Sequence, residues 1–133
     1  MPFPVDCETA YDYLVDPANR PAWQSSLKSV ADVDGQTGVT GQSWFDVTAV
    51  GVRPRMELTD ADRPHRWSER GTWRGFAAVL TLCFEPTPTG CAVASTMEVS
   101  ASGLLTPVGA VLDRLAPLTV RSDLRRAAKL LGH

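Results

Sequence analysis

The sequence predicts an α+β fold in which a curved antiparallel sheet is wrapped around a long C-terminal helix. Two short helices near the N-terminus, separated by the step Asp16-Pro17, are the first observation. A series of strand-like runs between positions 28 and 101 is the second, and an amphipathic helix from Thr106 to Leu131 is the third. A sheet that grips a helix encloses space against it, so this order predicts an apolar cavity.

Each short N-terminal helix has its own start signal. Asp6 can cap a helix over about residues 7–14, because an aspartate side chain accepts hydrogen bonds from the free N–H groups of the first turn. Asp16 can cap the second helix, with Pro17 at the first helical position, where its missing N–H costs nothing. Trp23 supplies this second helix with a large apolar anchor.

Alternation of apolar and polar residues identifies the first long strands. In the run 42–50 we expect Phe45 to lie on the inward face, because it shares a face with the apolar Val47 and Ala49. The run 55–59 also alternates, with Met56 and Leu58 on its apolar side. Side chains at every second position share a face of the sheet, so these residues are predicted to face the helix.

The later strands carry the most informative face. Trp67, Glu69 and Trp73 alternate within one strand and are predicted to point the same way. A strongly apolar strand over 76–85 then runs into a hairpin at PTPTG, and its partner strand covers 91–101. Glu69 is therefore a carboxylate placed among aromatic side chains.

The final helix is predicted to be amphipathic. Its apolar positions form two stripes, Val108, Leu112 and Leu115 in the first and Val120, Leu124, Ala127 and Leu131 in the second. We expect Leu112 and Leu115 of the first stripe to line the cavity.

Composition and charge exclude several classes of function. The 133 residues form a single domain, 44% hydrophobic and 21% charged, with a net charge of −2. No basic stripe supports a nucleic-acid partner. The longest apolar run, Phe76 to Phe84, is too short to span a bilayer, which predicts no membrane insertion. The N-terminus lacks a signal-peptide pattern, so we expect a cytoplasmic protein.

The three cysteines predict neither a metal site nor a disulfide framework. Cys7, Cys83 and Cys91 form an odd set with no C-x-x-C and no histidine at metal-ligand spacing. In a cytosolic protein we expect three reduced thiols, although Cys83 and Cys91 flank a hairpin and could lie near each other. No cofactor is indicated.

The order of these elements resembles the helix-grip fold of the START-like, or SRPBCC, superfamily, and most closely its polyketide cyclase/dehydrase branch. The residues that carry the resemblance are Asp16-Pro17 with Trp23 six residues later, the strand pair that turns through Thr-Gly before Val93, and the Arg-rich final helix VRSDLRRAAKLL. The resemblance covers the whole chain. It implies a cavity between the concave sheet and the last helix, used for hydrophobic small molecules or lipids.

The chain departs from this superfamily at its start. A full first strand is usual there, whereas only Met1 to Val5 precede the first helix cap here. A short first strand leaves its neighbour, predicted to be 91–101, partly unpaired, and an open edge invites a second chain. The protein is thus predicted to be a monomer or a homodimer.

The predicted site is the set of large side chains on the inward faces. We expect the cavity to be lined by Phe45, Met56, Leu58, Trp67, Glu69, Trp73, Phe76, Leu80, Met97, Leu112 and Leu115. The two tryptophans of the middle strand are either stacking walls for a flat ligand or ordinary core filling. Glu69 is either a cavity carboxylate with a raised pKa or a side chain that reaches solvent or an arginine.

These observations favour a binding protein over an enzyme. The predicted function is binding of a hydrophobic small molecule, a polyketide-like or lipid metabolite. The alternative is a polyketide cyclase or dehydratase that uses a cavity carboxylate, a chemistry that needs a base and an oxyanion donor in a dry pocket. Glu69 is the weak candidate for that base, and the sequence identifies no donor.

Overall fold

The computed structural model describes residues 1–132 and contains one antiparallel sheet, three α-helices and two short 3₁₀ turns. The strands are β1 (Pro2–Phe3), β2 (Leu27–Asp34), β3 (Ser43–Thr48), β4 (Arg55–Asp62), β5 (Arg66–Trp73), β6 (Phe76–Thr87) and β7 (Gly90–Ala101). The helices are α1 (Cys7–Val15), α2 (Arg20–Trp23) and α3 (Thr106–Leu131), with 3₁₀ turns at Pro17–Asn19 and Gly103–Leu105.

The seven strands lie in the order β1-β7-β6-β5-β4-β3-β2, and every neighbouring pair is antiparallel. After β1 the chain leaves the sheet through α1 and α2, re-enters at the far edge, and returns strand by strand to β7. The long helix α3 then packs chiefly on β7. This arrangement confirms the predicted α+β helix-grip fold.

The predicted helix starts are also confirmed. Asp6 accepts a hydrogen bond from the backbone N–H of Thr9 at 2.8 Å, and Asp16 accepts one from the N–H of Ala18 at 3.0 Å. The second predicted helix is split into a 3₁₀ turn and the four-residue α2. Its position matters because α2 carries Arg20 beneath the sheet, where the side chain is buried.

One half of the space between sheet and helices is solid. We call it the closed half and define it by Trp67, Leu82, Phe84 and Val93 of β5, β6 and β7, all fully or almost fully buried. Tyr11 of α1 covers them, with its ring centroid 5.2 Å from Phe84 and 6.2 Å from Trp67 in edge-on contacts. Helix α1 therefore fills the space that its own half of the sheet would otherwise leave open.

Helix α3 buries only its C-terminal stripe. Val120, Leu124 and Ala127 are buried in the hydrophobic core. The first stripe is not buried, because Val108, Leu112 and Leu115 are 47%, 41% and 54% exposed. The side of this segment that meets the sheet is marked instead by Gly109, because a Cβ there would lie 2.7 Å from the backbone nitrogen of Ala101.

The exposure of α3 is relevant to the prediction that the chain does not insert into a membrane. By length and composition alone, Gly103–Leu131 could cross a bilayer, a test that core helices of soluble proteins also pass. Of the 18-residue stretch that meets these criteria, only 11% is buried inside the protein.

β7 pairs with β6 along its whole length, but the short first strand leaves most of its outer edge without a strand partner. β1 pairs only with Cys91 and Ala92, which confirms the predicted neighbour. Further along this edge, Asp113 of α3 accepts a hydrogen bond from the backbone N–H of Val99 at 2.7 Å. A side chain of α3 thus occupies part of the edge that a second strand would otherwise take.

The prediction of three reduced cysteines is wrong. Cys7 of α1 and Cys91 of β7 form a disulfide across a sequence separation of 84 residues, with their Cα atoms 5.0 Å apart. Cys83 is free and exposed. The hairpin register opposes Cys83 to Ala94 and Cys91 to Pro86, which puts the two cysteines on opposite faces of the sheet. Only the packing of α1 over the end of β7 brings the true partners together.

The predicted inward orientation of Phe45 is also wrong. In β3 the buried positions are Trp44 and Asp46, while Phe45 is half-buried on the other face. Either alternation fits the sequence, because both faces of β3 carry an aromatic residue. The buried face was assigned wrongly because it holds an aspartate, which is normally exposed unless it is paired.

Candidate functional site

A cavity of about 690 Å³ lies between the sheet and the N-terminal part of α3. Its walls come from α2, β2 to β7 and α3, and they are mostly apolar. We call this side of the sheet the open half. Its central row is Gly71, Ala78 and Val99, which face one another across β5, β6 and β7. Small residues at this row leave the room that large ones occupy in the closed half.

Most of the predicted site residues line this cavity. They are Met56, Glu69, Trp73, Phe76, Leu80, Met97, Leu112 and Leu115. Trp73 and Phe76 form one aromatic wall, with nearly parallel rings whose centroids are 6.2 Å apart. Leu112 and Leu115 both line the cavity and are partly exposed, so the N-terminal part of α3 forms its rim.

Three predicted site residues lie elsewhere. Phe45 is on the opposite face of β3, as described above. Leu58 and Trp67 are fully buried, but in the closed core rather than at the cavity. Alternation identified their face of the sheet correctly. It does not tell how far along a strand the cavity begins, because this depends on where α1 lies.

A buried ion cluster stands where the closed half meets the open half. Arg20 of α2 extends between Asp46 of β3 and Glu69 of β5, and their exposures are 2%, 5% and 2%. The guanidinium donates to Asp46 Oδ1 and Oδ2 at 3.2 and 3.0 Å. It also donates to Glu69 Oε1 and Oε2 at 2.8 and 2.9 Å. All three side chains line the cavity.

Each carboxylate of the cluster is held by a tryptophan two residues earlier on the same strand. Trp44 donates its indole N–H to Asp46 Oδ1 at 2.9 Å, and Trp67 donates to Glu69 Oε1 at 3.1 Å. The Arg20 guanidinium also lies over the Trp44 ring, 5.1 Å from its centroid. These contacts fix both carboxylates and satisfy both indole donors.

The cluster retains some unused hydrogen-bonding capacity. Arg20 has five N–H donors and uses four of them, which leaves one on Nη1. Asp46 Oδ2 and Glu69 Oε2 each accept a single bond, both from Arg20 Nη2, so each oxygen has a lone pair left. The cluster can therefore both donate to and accept from a molecule in the cavity.

Burial sets the protonation tendencies of the cluster. Loss of solvation raises the pKa of Asp46 above its usual value of 3.8, although Arg20 acts in the opposite direction. Burial alone would lower the pKa of Arg20, but the charges of Glu69 and Asp46 outweigh it and keep that pKa raised. Arg20 is thus a permanent cation beside two carboxylates.

A third carboxylate faces the cavity from the opposite side. Asp123 of α3 is buried, and its Oδ1 accepts hydrogen bonds from the backbone N–H and the hydroxyl of Ser25 at 3.2 and 2.9 Å. It lines the cavity with the residues of the ion cluster. Within residues 1–132, no group of three histidine, cysteine or acidic side chains is placed to hold a metal ion.

Sequence reasoning missed Arg20, Asp46 and Asp123. One signal for Asp46 was present, because Trp44-Phe-Asp46 repeats the pattern Trp67-Ser-Glu69, a tryptophan followed two residues later by an acid. A strand places both members of such a pair on one face. No local pattern distinguishes Arg20 from the other arginines, since its burial depends on the path of α2 under the sheet.

The fold is shared with solved structures from several bacteria. The protein MLL2253 from Mesorhizobium loti has a TM-score of 0.78 at 15% identity, over 99% of this chain and 93% of that one. BH1534 from Bacillus halodurans has a TM-score of 0.73 at 14% identity, over 98% and 92%. The di-domain ARO/CYC StfQ from the steffimycin biosynthetic pathway has a TM-score of 0.72 at 13% identity, over 97% of this chain and 47% of that one.

No curated protein matches the sequence. A family model does, over residues 2–132, and its description is "Polyketide cyclase / dehydrase and lipid transport". The match spans nearly the whole chain and agrees with the helix-grip topology. The chain therefore belongs to the polyketide cyclase / dehydrase and lipid transport family.

Proposed function

We propose that this protein binds an apolar small molecule, a polyketide-like or lipid metabolite, in the cavity between the sheet and α3. The observation that carries the proposal is the cavity itself. Its volume of about 690 Å³ falls within the roughly 300–1,000 Å³ of small-molecule sites, and its walls are mostly apolar with a few converging polar groups. The aromatic wall of Trp73 and Phe76 suits a flat ring system.

The polar groups stand where they can orient such a ligand. The ion cluster lies at the inner end of the cavity, next to the closed core, while the partly exposed Leu112 and Leu115 form the rim. A ligand that enters by the rim with its apolar part along Trp73 brings its leading polar group to Arg20, Asp46 and Glu69. The cavity thus offers one apolar path and one polar end.

The second candidate function is a cyclase or dehydratase, and the ion cluster is the observation that favours it. A carboxylate would remove a proton next to a substrate carbonyl, and the free N–H of Arg20 would stabilise the resulting enolate oxygen. Against this, Asp46 Oδ1 and Glu69 Oε1 each already accept hydrogen bonds from Arg20 and from an indole N–H, so both carboxylates are held within the ion cluster rather than free to act on a substrate. We therefore favour binding.

Filling the cavity tests the binding proposal. Ala78 lines the cavity in its central row, so Ala78→Trp should occupy part of the volume. The matched control is Ala94→Trp, because Ala94 is exposed on β7 and lies outside the cavity lining. Binding of an apolar fluorescent dye should weaken by about tenfold or more in Ala78→Trp, equivalent to about 1.4 kcal/mol, and stay unchanged in the control. Equal affinity in both variants would place the dye elsewhere.

Trp73→Ala gives a second measurement on the same site. Trp73 belongs to the cavity wall, whereas Trp67 is sealed in the closed core. The dye should therefore quench Trp73 fluorescence. Because Trp23 also lines the cavity, Trp73→Ala should reduce the total quenching rather than abolish it, and it should lower the affinity. Native mass spectrometry of the purified protein would then identify a retained ligand. If a compound added to the protein is recovered as a product that has lost one water molecule, the dehydratase is favoured instead.

A further inference from the structure

We propose that the cavity selects apolar molecules that carry a protonated amine and discriminates against those that carry a carboxylate. This inference rests on the proposed binding function and names the ligand class for the same cavity. It comes from the charged residues of the lining, which comprise one cation, Arg20, and three acids, Asp46, Glu69 and Asp123. The formal charge facing the cavity is therefore negative.

The positive charge of Arg20 is already paired with two carboxylates. Its guanidinium lies between Asp46 and Glu69 and donates twice to each. A ligand carboxylate that approached the remaining N–H would stand beside two carboxylates that share one cation. Like charges that lie close together beside buried side chains repel strongly.

The free lone pairs of the two carboxylates in the ion cluster favour a cationic ligand. Asp46 Oδ2 and Glu69 Oε2 converge on the same nitrogen of Arg20, at 3.0 and 2.9 Å, and each retains a free lone pair. An ammonium group placed against them would donate to one or both oxygens. It would also compensate the excess negative charge, which buried carboxylates require.

The third carboxylate extends the negative charge to the opposite wall. Asp123 stands on α3, and both hydrogen bonds recorded for it go to Oδ1, from Ser25. The sheet wall and the helix wall of the cavity thus carry the same sign of charge. The apolar remainder of the lining supplies the contact for a hydrophobic body but no cation that could pair with an acid.

A matched set of ligands tests the selectivity on the unmodified protein. The probes are 2-(1-naphthyl)ethylamine, the corresponding alcohol and 1-naphthylacetic acid, measured by calorimetry at pH 7 and low salt. We expect the amine to bind at least about tenfold more tightly than the acid, with the alcohol between them. An acid that binds as well as the amine, or better, would overturn the inference and leave the cavity function standing. Absence of binding by all three would overturn the proposed function itself.

Variants locate the source of the selectivity. Glu69→Gln and Asp123→Asn each remove one negative charge, so each should reduce the ratio of amine to acid affinity by several fold. Glu98→Gln is the matched control, because Glu98 is exposed on β7 next to the cavity residue Met97 and does not line the cavity. Asp123 lies outside the ion cluster, so its variant keeps the test decisive if Glu69→Gln fails to fold. An unchanged ratio in both acid variants would contradict the assignment.

Discussion

The closed and open halves of the sheet are built from the same strands but filled in different ways. On β5 the inward positions run from Trp67, sealed in the core, through Glu69 in the ion cluster, to Gly71 and Trp73 at the cavity. On α3 the order is reversed, because Leu124 is fully buried while Leu112 is 41% exposed. Each element therefore changes from core to cavity wall at the level of the ion cluster.

Two features produce this difference. Helix α1 covers only the closed half, where Tyr11 packs on Trp67 and Phe84. In the open half the inward row has no side chain at Gly71, and the cavity residue Met56 lies over this position, with its sulfur 2.7 Å from where a Cβ would be. The buried ion cluster at the boundary has no direct benefit for packing, since apolar residues of similar size often stabilise a core as well or better. This favours a role for the cluster in the cavity.

Removing the arginine of the ion cluster should have the largest effect on stability. Arg20→Met leaves Asp46 and Glu69 buried without a cation, and we expect a loss of about 3–5 kcal/mol in the free energy of unfolding. Denaturant titration measures it. The control is Arg63→Met, because Arg63 makes a similar two-bond pair with Asp12, at 2.7 and 2.8 Å, on the surface, where the two side chains are 53% and 56% exposed. The control should change stability far less.

The pH dependence of the same variant sharpens this test. Burial already raises the pKa of Asp46, and removal of Arg20 should raise it further. A carboxyl with a raised pKa in the folded state binds its proton more tightly there than in the unfolded chain. Its ionisation therefore costs stability as the pH rises above the ordinary value of 3.8. The deficit of Arg20→Met relative to wild type should thus shrink as the pH falls, and a deficit independent of pH would contradict the cause given.

Matched leucine truncations on α3 compare the two halves directly. Leu124→Ala removes a fully buried side chain from the closed core and should cost about 2–5 kcal/mol. Leu112→Ala, on the cavity rim of the same helix, should cost less than about 1 kcal/mol. The dye affinity should show the opposite order, with a loss only in Leu112→Ala. Equal stability losses would mean that the rim is packed more tightly than its exposure indicates.

The disulfide is the next largest contribution to the closed half. Reduction of Cys7–Cys91 opens a loop of 84 residues, and we expect it to lower the free energy of unfolding by about 2–4 kcal/mol. Titration of thiols in the native protein should find one reactive group, Cys83, and a denatured, reduced sample should yield all three. Three reactive thiols without a reductant would show that the crosslink has not formed. Dye binding should survive reduction, because neither cysteine lines the cavity.

The sequence predicted the fold better than the site because the two depend on information of different range. Helix caps such as Asp6 and alternating strands such as β5 are local patterns, and both are confirmed. The position of the cavity along each strand depends on where α1 packs, so Leu58 and Trp67 were placed on the right face but in the wrong half.

The same limit explains the errors in charge and crosslinking. Asp46 and Arg20 are buried because they meet across 26 positions of sequence, and Cys7 meets Cys91 across 84. Neither pairing has a periodic signal. The repeated Trp-x-acid pattern of β3 and β5 is the one local trace of the site, and it becomes meaningful only when both strands are known to face the same cavity.

The smallest expected effect concerns the edge of β7, and it addresses self-association. Asp113→Ala removes the acceptor of the Val99 N–H and should cost about 1 kcal/mol. It also exposes more of an edge on which β1 pairs with only two residues, so sedimentation should show more dimer than in wild type. Asp113→Asn is the control, because its amide oxygen can still accept the bond. For the wild type, a single species of 14.4 kDa would establish the monomer. A wild-type dimer that Asp113→Ala leaves unchanged would place the interface away from this edge, and the exposed apolar rim of α3 would then be the surface to test.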